Sequence, residues 1–154
     1  MACTARVGCK RWSLRCSELE RRDVLSVWIV IAMALSSVED CPCELACAIK
    51  EFWPEAEWDN AASIAKLESG WDAFAIADTR DSQHPCGSVI RAVDGVDVSA
   101  EFSIGYFQIN ACNFPDWPAE RFFNARHNAG TAHALWDQRG WQPWFFSARQ
   151  LGLL

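Results

Sequence analysis

The sequence predicts an α+β domain in which helix dominates, with one small β-hairpin. Apolar residues recur at helical spacing over residues 44–53, 60–67 and 125–139. The pair Asp94-Gly95 sits between two short apolar runs in the middle of the chain. The order is therefore helices, a hairpin, then helices, with no internal repeat and no linker-like stretch. At 154 residues the chain has the length of one ordinary domain, and 51% apolar with 22% charged residues excludes whole-chain disorder. A net charge of −6 argues against nucleic acid as a partner.

The first forty residues stand apart. They carry six Lys/Arg (Arg6, Lys10, Arg11, Arg15, Arg21 and Arg22), all before Val24, so the acidic excess lies in the rest of the chain. The apolar run Val24–Leu35 follows at once, and its twelve residues fall short of the roughly 20 that span a bilayer. A basic front, a short apolar run and then Ser36-Ser37 read as a secretory signal peptide or an anchor on residues 1–40. The other reading is a buried N-terminal helix. Membrane contact is expected only through this segment, if it is retained.

In the first predicted helix, Glu44 to Trp53, Leu45, Ala48, Ile49 and Phe52 share a face, and Pro54 ends it. Asp59 reads as the N-cap of a second helix that runs to Leu67 and stops at Ser69-Gly70. Ala61, Ile64, Ala65 and Glu68 lie on one face of it. A carboxylate on a core-facing stripe is costly unless it is paired or protonated, which singles out Glu68. The hairpin pairs residues 88–93 with 96–98. The last helix has Ala125, Ala129, Ala132, Leu135 and Trp136 on one face, with Gly140 past its end. The aromatic tail from Trp141 to Phe146 is too short for another domain.

Eight cysteines are many for this length. Cys86 and Cys112 bracket the middle segment and could form a disulfide. The cluster Cys41, Cys43 and Cys47 has no nearby His and no standard zinc spacing, so no metal and no cofactor are expected. His84 falls in a loop, and His127 and His133 lie six apart on a helix, which does not give a shared ligand face.

Three segments now line up: Glu68-Ser-Gly-Trp71, Ser103-Ile-Gly-Tyr-Phe-Gln-Ile-Asn110, and Asn124 through Arg139-Gly-Trp-Gln-Pro-Trp144. Together they resemble the SLT-type lytic transglycosylase domain of the lysozyme-like superfamily, a relative of goose-type lysozyme. The resemblance covers residues 44–146, and the Arg-Gly-Trp-x-Pro-Trp ending resembles compact variants from phage and actinobacterial cell-wall proteins. It implies a lysozyme-like fold and an enzyme that cleaves the MurNAc-β-1,4-GlcNAc bond of peptidoglycan. The expected setting is secreted or attached to the cell envelope, and the expected state is a monomer.

Glu68 matches the family's catalytic acid/base. Gly105 matches a glycine that permits close backbone approach, and Gln108 a side chain that faces the substrate or supports the acid. Tyr106 and Asn110 complete the expected substrate-binding set, while Phe107 reads as core. Asn110 sits where goose-type lysozymes carry an acid, which argues against a water-activating base there. The family's Ala-Tyr-Asn-Ala-Gly-Pro-Gly segment, whose tyrosine partners the glutamate, is missing, and Tyr106 is the only tyrosine in the chain. Asp78 and Asp81 are the candidates for a second carboxylate. One essential carboxylate suits a lytic transglycosylase, in which the muramic acid C6 hydroxyl attacks. A hydrolase needs water and usually a second acid. Two further readings remain open. One is a non-catalytic glycan-binding module with Trp117, Trp136, Trp141 and Trp144 as sugar platforms. The other is a small redox or metal protein built on the cysteine cluster.

Overall fold

Pro42 and Pro54 bracket the first helix, α1 (Cys43–Phe52), which buries Leu45, Ala48 and Ile49. In the computed structural model the described residues are 36–83, 86, 89–93 and 96–154, all within one compact unit, Leu35–Leu154. The apolar run Val24–Leu35, His84 and the Asp94-Gly95 turn lie outside them. The segment just before α1 is part of the domain: Val38 and Cys41 are buried, and Ser36 exchanges two hydrogen bonds with Ser63.

The second helix, α2, runs Trp58–Ser69 and buries Ala61, Ala62, Ser63, Ile64 and Ala65. It starts one residue before Asp59, out of a 3-10 turn at Glu55–Glu57. Asp59 is therefore not the N-cap. Its carboxylate accepts the Val38 N–H at 2.8 Å, which ties the incoming chain to the helix. Gly70 closes α2 in the left-handed region, at φ 65°, as its lack of Cβ allows. Trp71 follows at φ 67°, and its indole N–H donates to Ala62 O at 2.9 Å.

Five short strands follow: β1 (Ile76–Asp78), β2 (Val89–Val93), β3 (Val96–Ser99), β4 (Phe102–Ile104) and β5 (Ile109–Asn110). The predicted hairpin is present as the β2–β3 pair, with Val93 opposite Val96. A second, unanticipated sheet has the order β1-β4-β5, all antiparallel, with Ile76 opposite Ile104 and Ser103 opposite Asn110. Two- and three-residue strands are too short to show alternation, so only pairing reveals them.

Helix α3 (Ala125–Arg139) matches its expectation, with Asn124 Oδ1 capping the His127 N–H and Gly140 at its end. It packs along α1, and the Phe52 ring lies where a Cβ on Gly130 would be only 3.1 Å from it. The aromatic tail forms a 3-10 turn (Gln142–Trp144) and a fourth helix, α4 (Phe145–Gln150). The folded unit thus continues past residue 146, with Leu151 and Leu153 packed on the core. The result is a mostly helical α+β domain with four helices and a small three-stranded antiparallel sheet.

Trp53 stands at the centre of the core. Its ring lies 5.7 Å from Phe107, 5.1 Å from Trp141 and 5.2 Å from Trp136. Most of the tryptophans among the described residues are thus packing material. Cys86 and Cys112 are disulfide-bonded, with Cα atoms 5.0 Å apart, and Cys43 and Cys47 are oxidised as well. Cys41 is free but buried, and burial pushes its thiol up to about 11, away from thiolate chemistry. Among the described residues no His/Cys/Asp/Glu group could hold a metal, and no helix is long and apolar enough to cross a membrane.

Gly105 offers a test of the packing. A Cβ there would fall 2.4 Å from Phe122 O and 2.6 Å from Asn128 Nδ2, at φ 75°. Gly70 has the same handedness, with open space around it. Gly105→Ala should cost about 3 kcal/mol or more, combining strain with overpacking. Gly70→Ala should cost about 1 kcal/mol, from strain alone. Urea unfolding of the two variants measures the difference.

Candidate active site

The turn from β4 into β5 is the floor on which the site is built. Gly105 takes φ 75° and Gln108 φ 47°, so the chain reverses within four residues. The Gly105 N–H donates to Ala75 O at 2.8 Å, and Gln108 N–H to Gly105 O at 3.0 Å. Asn128, fully buried on α3, accepts the Phe107 N–H at 2.8 Å and donates to Ile104 O and Phe122 O, both at 2.9 Å. The Trp144 indole donates to Phe107 O at 2.8 Å. Ser69 Oγ, at the end of α2, lies 2.9 Å from Tyr106 O as donor. That last bond joins the first two sequence motifs, because Ser69 is the neighbour of Glu68.

Glu68 is half-buried near the end of α2, and its partner comes from α4. Ser147 Oγ donates to Glu68 Oε1 at 2.5 Å, and Ser147 is itself buried. Burial raises the Glu68 carboxyl above the ordinary glutamate value, the Ser147 hydrogen bond opposes the rise, and the negative charge of Glu101 adds to it. Among the described residues Ser147 is the one hydrogen-bond partner of this carboxyl.

The other residues singled out from the sequence are placed as follows. The Tyr106 hydroxyl donates to Glu44 Oε1 at 3.0 Å, and the residue is only 2% exposed. The single tyrosine is thus committed to Glu44 rather than to Glu68 or a sugar. Gln108 Nε2 donates to Ala75 O at 3.2 Å and Gly105 O at 3.0 Å, so its amide N–H groups hold the turn. The close approach at Gly105 is to the protein's own Phe122 and Asn128. Asn110 Oδ1 accepts the Cys112 N–H at 3.0 Å and caps a short turn. Asp78 is paired with Arg80, which lies 3.4 Å from the Phe102 ring centroid, and that pairing holds the Asp78 carboxyl low. Asp81 accepts the Gln83 N–H at 2.7 Å.

Two residues were not anticipated. Ser147 lies beyond the matched span, in a helix the sequence did not announce. Glu101 precedes β4, and its carboxylate accepts the Ser103 hydroxyl at 2.7 Å. The sequence signal for Glu101 was its place two residues before Ser103, at the head of the motif. Of the four tryptophans considered as sugar platforms, Trp141 and Trp144 are buried, and Trp136 is half-buried with its ring tilted at 41° to that of Trp53. Trp117 is exposed, in a groove of about 310 Å³ that it shares with Phe52, Arg121, His127 and Thr131. That groove is lined by none of Glu68, Gly105, Tyr106, Gln108 or Asn110.

A glutamate with a raised folded-state pKa costs stability once pH exceeds its unfolded value, and the cost grows until the folded value is passed. Glu68→Gln removes that cost while keeping the shape. The variant should melt higher than the wild-type chain at pH 7, with the gap closing below about pH 4. Thermal unfolding at the two pH values measures it.

No protein-family model, no curated protein and no solved structure matches the chain. The arrangement around Glu68 and the motif resemblance are what support an active site.

Proposed function

We propose that this domain cleaves the β-1,4 bond between N-acetylmuramic acid and N-acetylglucosamine in peptidoglycan strands, with Glu68 as the general acid. The observation that carries the reading is the half-buried Glu68 carboxyl, raised by desolvation and held on one oxygen by the buried Ser147 hydroxyl. Glycosidic cleavage needs a carboxyl that still holds its proton near neutral pH. Glu68 delivers that proton to the leaving oxygen as the C1–O bond breaks. Exposed apolar side chains suited to sugar faces flank the pair in sequence: Leu67 beside Glu68 and Phe146 beside Ser147.

As a lytic transglycosylase, the enzyme lets the muramic acid C6 hydroxyl attack C1 and returns the hydroxyl proton to Glu68. This is the reading of the motif resemblance, and one carboxylate suffices. As a hydrolytic muramidase, it lets water attack with help from a second carboxylate, and Glu101 is the observation that favours this. Neither route needs a cofactor. The Cys86–Cys112 disulfide suits an enzyme working outside the cytoplasm, on the wall.

Glu68→Gln should lower glycan cleavage by about a hundredfold or more while the fold is kept. Release of soluble fragments from purified peptidoglycan measures it. Cleavage by the Gln variant at the wild-type rate would remove Glu68 from the mechanism.

A further inference from the structure

We infer that the groove along α3 binds a small aromatic carboxylate, at a place apart from Glu68. Its volume of about 310 Å³ lies at the low end of the range that holds small organic ligands. Rings and an aliphatic side chain form much of its wall: Phe52, Phe114, Trp117 and Leu135. Phe114 and Trp117 are stacked, with ring centroids 5.1 Å apart and planes 24° from parallel. Trp117 is 39% exposed. Gly130 keeps the Phe52 ring close beneath the helix, where a Cβ would stand only 3.1 Å from it.

The charge of the groove is of one sign. Arg121, Arg126 and His127 line it and no acid does, in a chain whose net charge is −6. Arg126 is answered by Glu51, with Nη2 2.6 Å from Oε1. Arg121 has no carboxylate partner among the described residues, although Asp116 and Glu120 are close to it in sequence. Its guanidinium lies over the Trp117 ring, 4.3 Å from the centroid, and its Nε–H donates to His127 Nδ1 at 3.4 Å. With Nδ1 accepting, the imidazole carries its hydrogen on Nε2. The terminal guanidinium N–H groups and that imidazole N–H are thus donors on one groove wall with no acceptor among the described residues. A carboxylate is the acceptor that a guanidinium fork pairs with best.

The uncharged polar groups decide the rest of the ligand. Thr131 donates its hydroxyl to His127 O at 2.8 Å, which leaves Gln138 as the uncharged polar side chain free to meet a ligand. A sugar ring would bring several hydroxyls to these walls and leave most of them unpaired. A flat aromatic body with one carboxylate fits instead, its rings against the aromatic wall and its anion on Arg121 and His127. Because the Glu68 site and this groove share no lining residue, binding here is independent of glycan cleavage.

The test is titration of the full chain with 2-naphthoate and with 2-naphthamide, which has the same rings and no charge. Binding is followed by the NMR signal of the Trp117 indole N–H, assigned with W117F. 2-Naphthoate should saturate with a Kd of about 1 mM or tighter and move the Trp117 signal. It should bind at least about tenfold more tightly than 2-naphthamide. R121Q should weaken 2-naphthoate about tenfold and leave 2-naphthamide within about twofold. Arg121 is exposed, so the fold should be kept. If R121Q does not fold, H127Q takes its place, and 2-naphthoate should weaken about threefold or more. A134W, which puts a ring on the groove wall, should remove binding of both probes. Equal affinity for the two probes, no saturation by 2-naphthoate, unchanged binding in R121Q or A134W, or shifts that spare Trp117 would each overturn the assignment. None of these outcomes bears on Glu68.

Discussion

The turn Gly105–Gln108 is bound on its backbone by α2, by α3, by the last 3-10 turn and by the segment before β1. A reversal buried this deeply has peptide groups that water cannot satisfy, so each must find a protein partner. Asn128 supplies the central set, with one amide contacting Ile104, Phe107 and Phe122. Ser69 from α2 and Trp144 from the last 3-10 turn take the carbonyls of Tyr106 and Phe107. Ala75, just before β1, takes the Gly105 N–H. Helices far apart in sequence are thereby fixed to one four-residue segment. The contact is so close that the first residue of the turn has to be glycine.

This constraint also explains why Glu68 sits where it does. Ser69 is pinned to the turn, so its neighbour is held at the junction of α2 with the sheet and α4. Burial at that junction penalises the ionised carboxylate, and one serine hydroxyl offsets the penalty only in part. Such a group is an acid in reserve, at some expense to stability. A further acid–hydroxyl contact, the buried Tyr106 with the exposed Glu44, has the opposite character. There burial, and after it the hydrogen bond to Glu44, push the tyrosine hydroxyl up and keep it a donor. The one tyrosine serves the fold, and a serine from α4 serves the acid.

The aromatic content invites a carbohydrate-binding interpretation, yet packing accounts for most of it. Trp53 gathers Phe107, Trp136 and Trp141 around itself, and Trp144 adds a ring contact and a hydrogen bond to the same turn. Large rings let a small domain bury much apolar area with few side chains. What remains outside is a short set of apolar side chains, among them Phe74 and Ile76 on either side of Ala75. They lie next to the residue whose carbonyl holds the turn, so exposed apolar surface borders the same segment.

The sequence by itself determined the local elements. Helical spacing marked α1, α2 and α3, Gly70 and Gly140 marked two of their ends, and an Asp-Gly pair between apolar runs marked the β2–β3 ribbon. It also marked Glu68, because a carboxylate on an apolar stripe conflicts with its surroundings wherever the helix packs. These signals are local, a few residues long, and need no partner to be read. Only the tertiary structure decided the three-stranded sheet, whose strands are too short to carry a pattern and exist through pairing. It decided, too, that Asp59 ties down the incoming chain, that Gln108 and Asn110 brace the turns they sit in, and that Asp78 belongs to Arg80. Ser147 reaches Glu68 across 79 positions of sequence and Ser103 directs Glu101 across two. Hydrogen-bond partners are chosen by distance in space, and the separation of Ser147 from Glu68 does not announce itself in the order of residues.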